Sequence, residues 1–192
     1  MERAMPVARL VAVSVCTCSF VLFSLAAKAQ SESFDKAIKE TVVDLGVPPE
    51  NAGDPTAPHG KLRCHYFQSF IVKELDLGQE GDEWISITPT EGRRLTPCAQ
   101  QHDKGEVVIH GEDWVAGYFV GVKKSFVFLE APDCSNRGCP FGVFEASTGK
   151  KLFEDQRRLS PKGKFAEIRF ARIGGNLVMR YPRVVAAGCS IP

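Results

Sequence analysis

The sequence has no glycine-rich phosphate loop, no Gly-x-Ser-x-Gly nucleophile turn and no Cys-x-x-Cys-His haem-attachment motif. Nucleotide, serine-hydrolase and covalent-haem chemistry therefore lose their usual footholds. An excess of one charge is also missing: 24 Lys and Arg face 23 Asp and Glu. Nothing in that balance draws a polyanion such as nucleic acid. No unit recurs at the 40 to 50 residues typical of a propeller blade. Beyond residue 29 no apolar run is long enough to cross a bilayer.

One long apolar run does occur, Leu10 to Ala27, and its flanks decide its reading. Arg3 and Arg9 precede it, and Ala27-Lys28-Ala29 follows it ahead of the polar Gln30-Ser31-Glu32. Basic, apolar and small-residue segments in that order make residues 1–29 a cleavable secretory signal. Ser14, Thr17, Ser19 and Ser24 dilute the run, which argues against a retained membrane anchor. The expected product, residues 30–192, loses three basic residues and one acidic one, so its net charge is about −1. It is long enough for one core that buries roughly 70% of the unfolded surface, and its expected location is the periplasm or the exterior.

Ser33 can cap a helix in which Phe34, Ile38, Val42 and Leu45 share one face and which Gly46 would end. An amphipathic helix is expected over 34–45, within an amino-terminal segment 30–47. Pro48-Pro49 and the Pro-, Gly- and Asp-rich run to residue 60 read as a linker. From residue 61 the pattern changes to period two and to short apolar runs between turn residues, so 61–192 is expected to be one antiparallel β domain. Strands are expected at 62–76, 84–88, 106–110, 116–123, 125–130, 141–146, 151–155, 165–173 and 176–181. Gly174-Gly175 should close a tight hairpin. Both faces of Phe126-Val-Phe-Leu129 are apolar, which puts that strand at the centre of the core. Phe141 to Asp155 resembles the outer hairpin of a propeller blade. The fold class is mainly β, with barrel, sandwich and propeller-like sheet left open.

Cys64, Cys98, Cys134, Cys139 and Cys189 follow the signal, an odd number in a compartment that oxidises thiols. The expected pairs are Cys134–Cys139 and Cys64–Cys98, which leave Cys189 unpaired. Loop closure gives about 2 and about 4 kcal/mol for the two. Ser135-Asn-Arg-Gly-Cys139 resembles the Ser-His-Gly-Cys signature of L,D-transpeptidases, with one residue inserted; His110, the nearest upstream histidine, is farther away than that family's. A nucleophilic Cys139 would need such a base, so the cystine explains the same residues with fewer conditions.

A metal would have to draw on His59, Cys64, His65, His102 and His110. Cys64 and His65 are strand neighbours that point to opposite faces. His102-Asp103 and His110 with Glu112-Asp113 could meet across a hairpin, yet no ligand spacing supports it. No metal and no cofactor are therefore expected. The basic pairs Arg93-Arg94, Lys123-Lys124, Lys150-Lys151 and Arg157-Arg158 read as charges that guard strand ends. Tyr66, Phe67 and Phe70, or Trp114, Tyr118 and Phe119, could form a binding face or simply pack the core.

Tyr66 to Gly81, Trp114 to Lys123 and Phe141 to Asp155 together resemble a group of small secreted bacterial proteins that carry no assigned function. The resemblance spans residues 61–192 and implies no catalytic residues. In that group the Arg183-Val-Val and Cys189-Ser-Ile-Pro192 ending continues to a further cysteine. The resemblance therefore implies that Cys189 lacks its customary partner, which leaves a free thiol or a bridge between two chains. The reading with most support is an exported, non-enzymatic binding domain for an envelope protein, glycan or small ligand. A Cys139-dependent cell-wall enzyme and an envelope structural or assembly factor are its alternatives.

Overall fold

The computed structural model describes residues 31–78, 84–90, 96–109, 117–132, 134, 138–157 and 168–182. His110, Trp114 and Cys189 lie outside them. Among the described residues the chain is mainly β, and every strand pairing is antiparallel between sequence neighbours.

The first sheet is a five-stranded meander of β1 (Lys39–Gly46), β2 (Gly60–Tyr66), β3 (Phe70–Asp76), β4 (Trp84–Pro89) and β5 (Val107–Ile109). The second holds β6 (Tyr118–Lys123), β7 (Phe126–Glu130), β8 (Cys139–Glu145) and β9 (Lys151–Arg157), and β10 (Arg169–Ile173) with β11 (Asn176–Arg180) forms a separate hairpin. The sheets do not close into a barrel; each keeps two outer strands. Gly174 and Gly175, both at positive φ, make the tight turn of the last hairpin as the sequence leads one to expect.

The expected helix over 34–45 is not present: residues 39–46 are a strand that pairs with β2 from Lys39 opposite Tyr66 to Gly46 opposite Gly60. The four-residue spacing was misleading because Ile38 and Val42, two of its apolar positions, are exposed, at 68% and 61%. Inward positions are instead Thr41, Val43 and Leu45, the period-two set, and cross-strand bonding outweighs helix periodicity. Of residues 48–60, read as a linker, 48–59 are the connection within this β1–β2 pair, with a 3-10 turn at Pro49–Asn51, and Gly60 already belongs to β2. The single strand expected over 62–76 is two strands, folded back at Phe67-Gln68-Ser69.

Alternation sorts the core into layers. One face of the first sheet gives Val72, Ile85, Ile87 and Ile109, which pack on Val122, Val127, Leu129 and Phe144 of the second. The other face of the second sheet, with Phe128, Phe141 and Val143, packs on Ile168, Phe170, Leu177 and Met179 of the hairpin. β7 therefore serves both interfaces, which is why its sequence is apolar on both sides. The outer face of the first sheet buries Leu62, Cys64, Tyr66, Ile71 and Leu75. Residues 96–106 lie over this face, tied by the Cys64–Cys98 disulfide and by Tyr66 Oη, which donates to the Thr96 carbonyl at 3.2 Å.

Residues 31–38 stitch the three layers together. Glu32 exchanges two backbone bonds with Phe170 of the hairpin. Asp35 N–H donates to Val122 O of the second sheet at 2.8 Å, and Ile38 N–H to Tyr66 O of the first at 2.7 Å. Phe34 sits edge-on between Phe128 and Phe170, 5.2 Å from each ring. Gly121 permits this, because a Cβ there would lie 2.7 Å from the Phe34 ring.

Candidate binding cleft and buried charge clusters

Alternation on β2 sends Cys64 to the outer face and His65 to the inner one, at the rim where the first sheet stops covering the second. There His65 faces Phe119 of β6, with ring centroids 4.7 Å apart. A cleft of about 470 Å³ opens beside this contact. Its lining comes from Phe34 to Ala37, from Glu40, His65 and Phe67 of the first sheet, and from Phe119 to Gly121. Aromatic walls, both charge signs and a size suited to a small ligand meet in one concavity.

His65 is held from two sides. Its Nε2 donates to the buried Glu74 carboxylate at 2.5 Å, and Nδ1 lies 3.6 Å from Glu40. The other Glu74 oxygen accepts from the Phe119 amide at 3.3 Å, so the dyad also joins the two sheets. Burial acts to depress the imidazole, but the Glu74 bond and the charges of Glu74 and Glu40 outweigh it and raise the His65 pKa. Protonated His65 can therefore present positive charge at the cleft in mildly acidic to neutral surroundings.

A second cluster forms on the outer face. Lys73 is completely buried, and its Nζ donates to Gln101 O, Asp103 and Glu106 at 3.1, 2.7 and 2.9 Å. Glu106 also accepts from Ser86 Oγ, Thr88 Oγ1, the Asp103 amide and His102 Nδ1. Burial opposes its charge, yet the bonds from Ser86, Asp103, His102 and Lys73 together bring the Glu106 pKa down to about 2. Every member is partnered, and an ammonium locked between carboxylates is neither a base nor a nucleophile. The cluster clamps residues 101–106 to the sheet.

The third cluster is Glu130, Cys134, Cys139 and Arg157. Cys134 and Cys139 are disulfide-bonded, with Cα atoms 4.4 Å apart. Glu130 and Arg157 form a buried ion pair on β7 and β9. Arg157 is thus no guard of a strand end. Lys123 departs from that expectation as well, being buried against Ser33 O, Asp35 and Glu32 at 2.8, 3.0 and 3.0 Å.

Among the described residues weighed for a metal, the histidines do not converge. His59 pairs with Asp44 at 3.0 Å, His65 with Glu74, and His102 with Glu106 on the opposite face of the sheet. The sequence missed Glu74, Lys73 and Glu106 because charges in an alternating strand read as solvent-facing. Their register neighbours carried a signal: Lys73 lies between Cys64 and Ser86, on the face that holds the cystine. The chain matches no family model, no curated protein and no solved structure, so its chemistry is read from its own geometry.

Proposed function

We propose that the protein is an exported, disulfide-stabilised binding domain of the cell envelope that takes a small ligand or glycan unit in the cleft between its two sheets. The observation that carries this reading is the cleft itself, where the tilted His65–Phe119 ring contact, Phe67, Glu40 and Lys36 meet in about 470 Å³. Aromatic faces suit the flat apolar side of a ring, and the charged groups suit its polar edge. The apolar run at 10–27, the small-residue site at 27–29 and two cystines support export to an oxidising compartment.

A transpeptidase-like role for Cys139 has less support, because that sulfur is bonded to Cys134 and buried. His59, His65 and His102 are each engaged by an acid elsewhere. Screening the processed chain against peptidoglycan and glycan fragments by protein-observed NMR tests the proposal. Shifts should cluster at His65, Phe67, Phe119 and Gly121 and disappear in Glu40→Gln or Phe119→Ser, with folding unchanged. Shifts that map to another surface, or survive both substitutions, overturn the cleft as the site.

A further inference from the structure

Cys139 begins β8 and stands in register with Arg157 of β9, on the face of the second sheet that Glu130 shares. Its side chain has no exposed surface, whereas Cys134 is part-exposed. The two residues are therefore unequal: Cys134 has surface that a reagent can meet and Cys139 has none. A carboxylate oxygen of Glu130 and both sulfurs lie within 4.8 Å of one another, with Cys134 Sγ 3.6 Å from Glu130 Oε1. A bonded sulfur has no proton to give, so that contact becomes a hydrogen bond only if the carboxyl is protonated or the disulfide opens.

Arg157 fixes this carboxyl through Nε, at 3.2 Å from Oε1, and through Nη2 on Oε2. Burial pushes the Glu130 carboxyl above the usual carboxylate range although Arg157 pulls it the other way. An acid able to hold a proton thus stands beside a short-loop cystine. With the guanidinium on both carboxyl oxygens, a metal ion would meet a positive charge already in place, so cation binding is disfavoured here.

We propose that Cys134–Cys139 is an exchange-active disulfide whose substrate is an aliphatic thiolate, small or on a peptide, with Glu130 as its proton donor and Arg157 as the group that positions Glu130. The incoming thiolate attacks Sγ of Cys134 and forms a mixed disulfide. The Cys134–Cys139 bond breaks, and its electron pair leaves on Cys139, where a bare thiolate would be costly in so buried a place. Glu130 gives that sulfur its proton and is left as a carboxylate paired with Arg157. A second thiolate attacks the mixed disulfide and releases Cys134, which takes a proton from solvent. Two thiols are oxidised to one disulfide and the protein cystine is reduced by two electrons. The reverse sequence reduces a substrate disulfide and re-forms the Cys134–Cys139 bond. Among the described residues no carboxylate forms such a trio with Cys64 and Cys98; Cys98 lies 4.0 and 3.9 Å from two backbone carbonyls, Thr41 O and Leu62 O.

The test exposes the processed, fully oxidised protein to reduced glutathione, and in a second arm to a cysteine-containing peptide. Alkylation and mass spectrometry then follow each cysteine across pH 5 to 9. Cys134–Cys139 should open at least about 10-fold faster than Cys64–Cys98, with the mixed disulfide on Cys134. Its rate should climb less steeply with pH than the thiolate fraction, because the acid is lost as the nucleophile is gained. Glu130→Gln should slow exchange about 10-fold and make the rate track the thiolate fraction. The double variant Glu130→Gln/Arg157→Gln removes both charges of the pair and should show the same pH profile if the single variant folds poorly. Both disulfides opening together at one rate, or a wild-type rate that tracks the thiolate fraction, overturns the proposal.

Discussion

Residues 31–38 and residues 96–106 are two irregular straps laid over sheets, and each is held by a buried lysine with the same three contacts. Lys123 bonds a carbonyl and two carboxylates of the first strap, and Lys73 does so for the second. They differ in what surrounds the acids. Glu32 and Asp35 are 31% and 40% exposed; in the second strap Asp103 is 32% exposed, but Glu106 is 1% exposed and accepts further bonds from Ser86 and Thr88. The second strap is also covalently tied through Cys98. The second strap thus has one anchor that the first lacks: acids that water can reach can let go at little cost, and Glu106, sealed from water, cannot. The first strap supplies Phe34 to Ala37 of the cleft, so the proposed ligand site is built partly on the strap whose two acids are both water-exposed.

The largest way to break this comparison is Lys73→Met, which strands Glu106 and Asp103 against the sheet. It should cost about 5 kcal/mol, the upper end for stripping one partner from a buried charge network. Urea midpoints at constant slope will read it. Next comes the double variant Cys64→Ala/Cys98→Ala, expected to cost about 4 kcal/mol by loop closure and measurable in the same way. Lys123→Met should cost only about 1 kcal/mol, because Glu32 and Asp35 can rehydrate. A Lys123→Met loss equal to that of Lys73→Met would erase the distinction between the straps.

Acid sharpens the comparison further. Glu106 has a folded pKa of about 2, below its ordinary value of 4.5, so its contribution is fully present above the ordinary value and is lost as pH falls through about 2. The amide shift of Ser86, whose hydroxyl donates to Glu106, should hold steady from pH 6 to near pH 3 and move only below it. Movement centred near pH 4.5 would mean that Glu106 lacks the partners described.

Much of the strand order was legible in the sequence because alternation is a direct record of which side faces the core. β7 declared its central place through Phe126 to Leu129, and Gly174-Gly175 declared its turn. β1 was not legible: Phe34, Ile38, Val42 and Leu45 fit a helical period by coincidence, and only pairing with β2 decides between the two. The turn at Phe67-Gln-Ser lacks the glycine or proline that usually marks one. Both cystine pairs follow the expected spacing. The clusters around Lys73, Lys123 and Arg157 were hidden because a charge that meets its partner across tens of residues looks, in one dimension, like a charge meant for water. His65 likewise became informative only when Glu74 and Phe119 were seen beside it.

The unequal fastening of the two straps is tested most directly by native-state hydrogen exchange on the oxidised, processed chain. The amides of Asp103 and Glu106 should exchange only through openings near the global unfolding free energy. Those of Glu32, Asp35 and Ile38 should exchange through smaller openings that leave the sheets intact, and should gain protection when the cleft is filled. Equal protection of both straps, or a first strap that opens only with the whole fold, would contradict the account.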